Sequence, residues 1–449
     1  MNSDSSMPTN SGHATLNNST GSIHATLNNP VGSGHATLNN PTDSEAQQCT
    51  FILDTLKAEA LRLGFSACGA ARARAVAPEH ARTFVQWLVE GKNAGMDYMS
   101  NYTDLRLDPR LLVPGARTVI SVALNYYPRQ TLAPDQYQFA YYAYGKDYHD
   151  VVRAKLRQLA AACLPADATV RICVDTAPVL ERYWAVEAGL GCIGRNKTLI
   201  VPHVGSFVFL GEIITDAVPD KYSEPISAAA DHYLCGSCHR CLDACPGGAL
   251  SVVSEAVSEV VSEVVDRTVG GAVAAATVDD GDTLPGSAFP DIPSGSGASV
   301  SPDVQACADG SVLPNAKISQ NVQVRHCKFP ISSLDSRRCL SYLTIEHRGE
   351  FIDEFVDFVR QSVQECTNMP NVQFVYGCDR CQLCCPHNRN AEPTSIDEFA
   401  PSQQFLSMTK AAWHNLSLEQ YQQLFRGSAV KRVKYDGLMR NIRALGVQK

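Results

Sequence analysis

No run of 18 or more apolar residues occurs in the 449-residue chain, which argues against a membrane-spanning helix. The N-terminus shows neither a charged n-region nor an apolar h-region, so the expected location is cytoplasmic, with no membrane partner. Positive charge is also in short supply: 38 Lys and Arg stand against 46 Asp and Glu, a formal net charge of -8. Any nucleic-acid partner must therefore be met by a local basic patch and not by the whole surface. What the chain does have is apolar material, 45% of its residues, enough for two or three packed domains.

It also has 17 cysteines. Disulfide scaffolds are small secreted chains, whereas here the cysteines crowd at C-x-x-C spacing in a long chain, so metal ligation is the better reading. The run "CGSCHRCLDACPGGAL" carries Cys235, Cys238, Cys241 and Cys245 followed by Pro246. This is the ferredoxin-type order, in which three thiolates hold one 4Fe-4S cube and the fourth, before proline, reaches a second cube. Structural zinc draws four ligands from two C-x-x-C pairs and has no use for it.

A second run, "CDRCQLCCPHN", supplies Cys378, Cys381 and Cys385 before Pro386, one short of the full set. Cys339, in "DSRRCLSYLTIE", is the nearest upstream candidate. Crosswise assignment gives one cluster Cys235, Cys238, Cys241 and Cys385, and the other Cys245, Cys339, Cys378 and Cys381. Cys384 competes with Cys385, but as a ligand it would leave Cys385 before the proline without a role. Cys173, Cys192, Cys307 and Cys327 sit at no ligand spacing and read as core or linker thiols.

The chain divides into a repeat leader over 1–48, an α/β domain over 49–225 and a ferredoxin-like domain in two halves, 226–250 and 329–395. A low-complexity insert at 251–328 separates the halves, and a helical basic segment fills 396–449. The leader repeats "HATLNN" three times, at His13, His24 and His35, in a polar setting that buries nothing, so those histidines read as incidental to metal binding. Helical spacing runs through 49–65, 149–164 and 178–191, and strands are expected at 116–127, 170–175 and 205–215. The fold class is α+β, a mixed α/β domain followed by a ferredoxin-like one.

Several stretches occur in an order that resembles the epoxyqueuosine reductases, cobalamin-dependent iron-sulfur enzymes of tRNA queuosine synthesis. They include "MDYMSNYTDLRLDPRLLVPGARTVISVALNYYP", "YAYGKDYHDVVRAKL", "VDTAPVLERYWAVEAGLGCIGRNKTLI", "GSFVFLGEI", both cysteine runs and "FRGSAVKRVKYDGLMRNIRALG". The resemblance covers about 50–250 and 330–446, and the long insert is its largest departure. It implies a cobalamin-binding domain fed with electrons by two 4Fe-4S clusters, acting on an epoxide at the tRNA wobble base. It also implies Asp175 as proton donor and cobalamin contact, Arg106 as a second contact, and Ile200, Gly211 and Ser341 around the corrin.

The residues add their own argument. An epoxide oxygen becomes an alkoxide when its carbon is reduced, so an acid must stand nearby, and Asp175 follows the apolar strand "VRICV". The competing reading makes Asp175 an N-cap for the helix in "PVLERYW". "DYHDVV" lacks the glycine of the D-x-H-x-x-G pattern, so His149 reads as a helix-start or pocket-wall residue and not as a cobalt ligand. The only concentrated positive charge lies at Arg426, Lys431, Arg432, Lys434, Arg440, Arg443 and Lys449, set against Asp436 alone. That segment could hold the phosphates of a tRNA anticodon loop or be a solvated helical face. An electron donor is implied without being named. Two other function classes stay open: a small-molecule reductase like the reductive dehalogenases, and a plain electron carrier. The spacing predicts about eight irons in the reconstituted protein, with Cys235 and Cys245 substitutions perturbing different cubes. Iron analysis of Cys384→Ser beside Cys385→Ser should show the larger loss in the latter.

Overall fold

The computed structural model describes residues 50–226, 235–252, 332–361 other than 355, 358 and 359, and 372–445. The repeat leader with its histidines, nearly all of the insert, Cys307 and Cys327 lie outside the described residues. The first portion contains α1 (Leu53–Arg62), β1 (Ala67–Arg72), α2 (Pro78–Val89), α3 (Thr103–Leu107), α4 (Pro109–Leu112), β2 (Thr118–Asn125) and β3 (Gln138–Phe139). It continues through α5 (Tyr148–Cys163), β4 (Val170–Cys173), α6 (Glu181–Glu187), β5 (Cys192–Ile193), β6 (Leu199–Ile200) and β7 (Val208–Thr215). The cysteine-bearing portion holds α7 (Arg240–Asp243), β8 (Leu250–Val252), β9 (Ser332–Leu334), α8 (Leu340–Ile345), β10 (Phe374–Tyr376) and α9 (Arg380–Leu383). Four helices close the chain: α10 (Gln403–Leu406), α11 (Lys410–His414), α12 (Leu418–Leu424) and α13 (Lys434–Leu445).

The central sheet has the order β1-β2-β7-β4, and each of its pairings is antiparallel. Alternation along β2 explains the layers on either side. Ile120, Val122 and Leu124 meet α1 and α5 through Leu53, Leu56, Val152 and Leu156. Val119 and Ala123 join Ile214 of β7 in facing α2 and α6, where Val85, Tyr183 and Trp184 cover them. Both faces of β2 are thus buried, which is why its sequence reads as an unbroken apolar run. Each fully buried aliphatic here contributes roughly 1.5–3 kcal/mol. The helices differ from the sequence expectation mainly at α6: it begins at Glu181 with Leu180 as its N-cap, so Asp175 does not cap it.

The two sides of the insert meet. β8 and β9 pair antiparallel with Leu250 opposite Leu334 and Val252 opposite Ser332, so the chain leaves and re-enters at adjacent points. The cysteine portion is also locked into the first portion. β3 pairs in parallel with β10, and the Tyr141 N–H donates to the buried Asp379 carboxyl at 2.6 Å. The Asn388 amide donates to Ser206 Oγ and the Gln382 carbonyl, while its oxygen accepts the Ser206 N–H at 2.7 Å. A third core, built on Phe139, Tyr376, Phe405, Trp413 and Phe425, ties the terminal helices to the β3–β10 pair.

One glycine holds the cysteine segments close. A Cβ on Gly247 would stand 1.8 Å from the Arg338 carbonyl oxygen, one residue from Cys339. Gly247→Ala must push these segments apart and is expected to cost about 1–3 kcal/mol or more, as overpacking does. Denaturant unfolding at matched iron content checks this, and an unchanged midpoint would refute it.

Candidate redox and proton-donor site

The two cysteine runs fold into near-identical turns. α7 and α9 each carry a cysteine second in the helix, and their C-cap residues, Ala244 and Cys384, have φ/ψ of -82°/-5° and -82°/-8°. Cys384 therefore occupies the place that alanine takes in the first run, and its thiol donates weakly to the Cys381 carbonyl at 3.6 Å. It also lies within electrostatic reach of Cys241, Cys385 and Cys238.

The thiols gather in two groups. Cys235, Cys238, Cys241 and Cys385 line one cavity together with Asn196, Ile200 and Pro386. Burial first, and then the neighbouring Cys235, Cys385 and Cys238, push the Cys241 thiol up to about 11. Cys381 is raised by burial and then by Cys378, Cys339 and Cys245, which defines the second group. Backbone amides already point at several of these sulfurs. Ala249 N–H donates to Cys245 Sγ at 3.2 Å, and the amides of Ser341 and Tyr342 serve Cys339 at the start of α8. Among the described residues no three His, Cys, Asp or Glu side chains converge on a point that a single ion would fill. A cube suits such a donor set better, because each thiolate takes a separate iron of an extended body. The raised thiols, Cys241 and Cys385 in the first group and Cys339, Cys378 and Cys381 in the second, would ionise only beside a compensating positive charge, which a cluster core would supply.

The second half of the site surrounds Asp175. The Thr176 N–H donates to the Val174 carbonyl at 2.6 Å, closing a three-residue turn whose apex, Asp175, has φ +56°. Such a turn is strained for a residue with a side chain. Glu181 steadies it by accepting the Asp175 N–H at 2.5 Å. The Asp175 side chain is 60% exposed, yet the protein walls it closely enough that burial works against its charge: it faces a cleft. Tyr148 donates to Asp175 Oδ2 at 2.5 Å, and His149 Nε2 stands 3.7 Å from the same oxygen. These two partners outweigh burial and hold the carboxyl below its ordinary value. His149 is opposed by burial, but Asp147 at 2.6 Å and Asp175 lift it to about 9. At neutral pH the pair is carboxylate and imidazolium, and it carries one transferable proton.

The tip of the β5–β6 hairpin connects the halves. Arg195 donates to the Cys238 carbonyl at 2.7 Å, Asn196 donates to the Cys381 carbonyl at 3.3 Å, and the Lys197 carbonyl accepts from Arg182 beside Asp175. Arg106, 8% exposed, donates to the Tyr98 carbonyl, while its Nε is buried with no acceptor. That unmatched donor fits an oxygen-bearing group entering the cleft. Ile200 faces the thiol-lined cavity, and Ser341 follows Cys339 at the start of α8. A Cβ on Gly211 would press on Leu156 and Val152 of α5, so close packing is enough to account for a glycine there.

Tertiary contacts also sort the basic tail. Arg440 is buried and spends its guanidinium on the carbonyls of His347, Gly349 and Leu343. Arg432 pairs with Glu346 at 2.9 Å and lies 5.8 Å from the Tyr98 ring, at the cleft. Lys431, Lys434, Arg426 and Arg443 are exposed, and Lys449 lies outside the described residues. Tyr148, Asp147, Glu181 and Glu212 escaped the sequence reading. The stretches "GKDYHD", "PVLERYW" and "FLGEI" held them, but only the fold shows which of their side chains turn toward Asp175.

A protein-family profile described as "Epoxyqueuosine reductase QueG, DUF1730" matches residues 106–176, which include Arg106 and Asp175. An epoxyqueuosine reductase of Cellulophaga algicola is 34% identical over 391 residues, 87% of this chain and 96% of that protein. One from Cyclobacterium marinum is 33% identical over 392 residues, 86% and 94% of the two chains. The fold matches that of an epoxyqueuosine reductase solved with an epoxyqueuosine-modified tRNA-Tyr stem loop, with a TM-score of 0.59 and 22% identity over 86% of this chain and 79% of that one. The enzyme of Streptococcus thermophilus gives a TM-score of 0.57 at 20% identity, covering 86% and 78%. Sequence identity sustained over nearly the full length of both chains makes this protein a member of the epoxyqueuosine reductase family, which are oxidoreductases.

Proposed function

We propose that the chain removes the epoxide oxygen of epoxyqueuosine at the wobble position of tRNA, giving queuosine, in the cytoplasm and with electrons from a separate donor. The observation that carries this reading is the β5–β6 hairpin, whose tip touches both thiol groups and, through Arg182, the Asp175 cleft. A source of electrons and a source of protons are thereby held on one short loop, which is what an epoxide reduction needs.

Two 4Fe-4S clusters would occupy the thiol groups, with Cys235, Cys238, Cys241 and Cys385 holding one and Cys245, Cys339, Cys378 and Cys381 the other. Cobalamin would lie in the cleft against Arg106, Asp175, Ile200 and Ser341, with Arg106 Nε offering its unused donor to the corrin's polar rim. When bound, it supplies a low-potential centre able to attack the epoxide carbon. This chain's residues then handle the oxygen. Tyr148 and His149 orient the Asp175 carboxyl, and the proton on His149 passes through Asp175 to the departing alkoxide. Arg432 beside Tyr98, with the exposed Lys431 and Lys434 near it in the chain, would take anticodon-loop phosphates, while an unstacked base enters the cleft.

Asp175→Asn is the decisive variant, because asparagine tolerates the positive φ and still accepts from Tyr148, yet holds no acid. Cluster and cobalamin spectra should survive, and conversion of an epoxyqueuosine-containing anticodon stem-loop under chemical reductant should fall by about a hundredfold or more. Equal rates at matched cobalamin occupancy would remove Asp175 from the chemistry. A wild type that leaves the stem-loop unconverted would overturn the substrate.

A further inference from the structure

The two cysteine runs build the same turn twice, and the two copies meet solvent differently. In the first run Gly236, Ser237, His239, Arg240 and Asp243 are exposed. The places of Gly236, Ser237, His239 and Arg240 are taken in the second run by Tyr376, Gly377, Asp379 and Arg380, and all four are buried. The cause is what packs on each copy. Asp379 accepts the Tyr141 N–H, Arg380 donates to the Val372 carbonyl, and the Tyr376 hydroxyl donates to the Ala429 carbonyl. The first copy meets the β5–β6 hairpin on one side, through Arg195 and the Cys238 carbonyl. Its other side is an open depression lined by Gly236, Ser237, His239, Arg240 and Asp243.

The buried copy is the one that borders the cleft. Tyr376, two residues before Cys378, accepts from the Tyr142 hydroxyl at 3.1 Å, and the Tyr142 ring lies edge-on to that of Tyr148 at 6.2 Å. Tyr148 in turn bonds Asp175. α8, which begins just after Cys339, ends at Glu346, the partner of Arg432 beside Tyr98. Electron tunnelling falls steeply with distance, so a carrier outside the cleft must come close to a cluster at the surface. The exposed copy offers the thinnest cover, since Gly236 has no side chain and Ser237 a short one. Charge then selects the carrier. The chain as a whole is acidic, with a net charge of -8. The residues lining the two adjoining cavities over the first thiol group reverse that sign: Arg195, Arg240, His239 and His387 stand against Asp243 alone. An acidic protein is therefore repelled by most of this molecule and drawn to this face.

We propose that the exposed face of the first cysteine run is the docking site of a small acidic one-electron carrier protein, bearing an iron–sulfur cluster or a flavin. This rests on the two-cluster, epoxide-reducing reading above and names where its donor binds. Each encounter oxidises the carrier by one electron and reduces the group held by Cys235, Cys238, Cys241 and Cys385. Two encounters supply the electron pair that, with two protons, turns an epoxide into an alkene and water. No proton or atom crosses the docking face. The onward step is short, because the turn that carries Cys241 also carries Cys245 of the second thiol group.

Arg240→Glu reverses one charge of this face and leaves every thiol in place. The probes are a reduced plant-type ferredoxin and a reduced flavodoxin, both acidic, each mixed with the cluster-loaded full chain in the absence of tRNA. Rapid-freeze electron paramagnetic resonance then counts the reduced 4Fe-4S clusters over time. At matched iron content, reduction by at least one carrier should slow roughly tenfold or more in the variant, and the wild-type rate should fall steeply with added salt. Reduction by dithionite, which needs no docking face, and affinity for the anticodon stem-loop should both be unchanged. Arg240→Gln, expected to show a smaller loss in the same direction, serves if Arg240→Glu does not take up iron. Equal carrier-driven rates in wild type and variant, or no reduction of the wild type by either carrier, would overturn the docking site. So would a matching loss with dithionite, which places the effect in the cluster, or a loss confined to stem-loop affinity, which gives the face to RNA. A wild type whose clusters accept electrons from a carrier but which converts no stem-loop would overturn the epoxide reading and leave the docking site standing.

Discussion

Everything at the site depends on how the cysteine segments are fastened to the sheet domain. The fastening is a buried polar knot in which the Asn388 amide bonds Ser206 and the Gln382 carbonyl, while Gln382 bonds Ser206 in return. Buried amides left without partners are costly, so this knot has essentially one satisfied arrangement. It places α9 against the start of β7, and the parallel β3–β10 pair fixes the other side. With α9 set, Cys381 and Cys385 point into different groups of thiols, and the β5–β6 hairpin reaches both.

The cleft is organised by charge. Asp175 sits at the apex of a strained turn, and the local backbone would relax if nothing held it. Glu181 holds it from within through the N–H, and Tyr148 and His149 hold the carboxyl from the start of α5. The antiparallel sheet matters here. β7 passes between β2 and β4 and brings Glu212 beneath α6, so acidic groups from three distant segments meet near one turn. Strain and crowded acids both cost stability, and they meet at the turn proposed above as the proton donor.

The terminal helices show how tertiary structure divides a run of like residues. In the sequence Arg432 and Arg440 are equivalent cations. In the fold, Arg440 closes the carbonyls after α8 and lies over the Phe351 ring, while Arg432 stays at the surface beside Tyr98. The basic patch is therefore smaller than the composition of the tail suggests, and it borders the cleft.

The sequence by itself determined the α+β character, the apolar strands such as 116–127, the grouping of cysteines at ferredoxin spacing and the family resemblance. These follow from local patterns: strand and helix periodicity, and a ligand spacing that few other sites use. It left Asp175 divided between catalysis and helix capping, because both readings need the same residue before the same helix. Only the tertiary structure decided against the cap, by starting α6 at Glu181 and turning Asp175 toward Tyr148 and His149. The antiparallel sheet order and the separation of buried Arg440 from exposed Arg432 were likewise invisible in the chain. Each depends on contacts between residues tens to hundreds of positions apart, and no local spacing encodes which of two equally polar side chains will be buried.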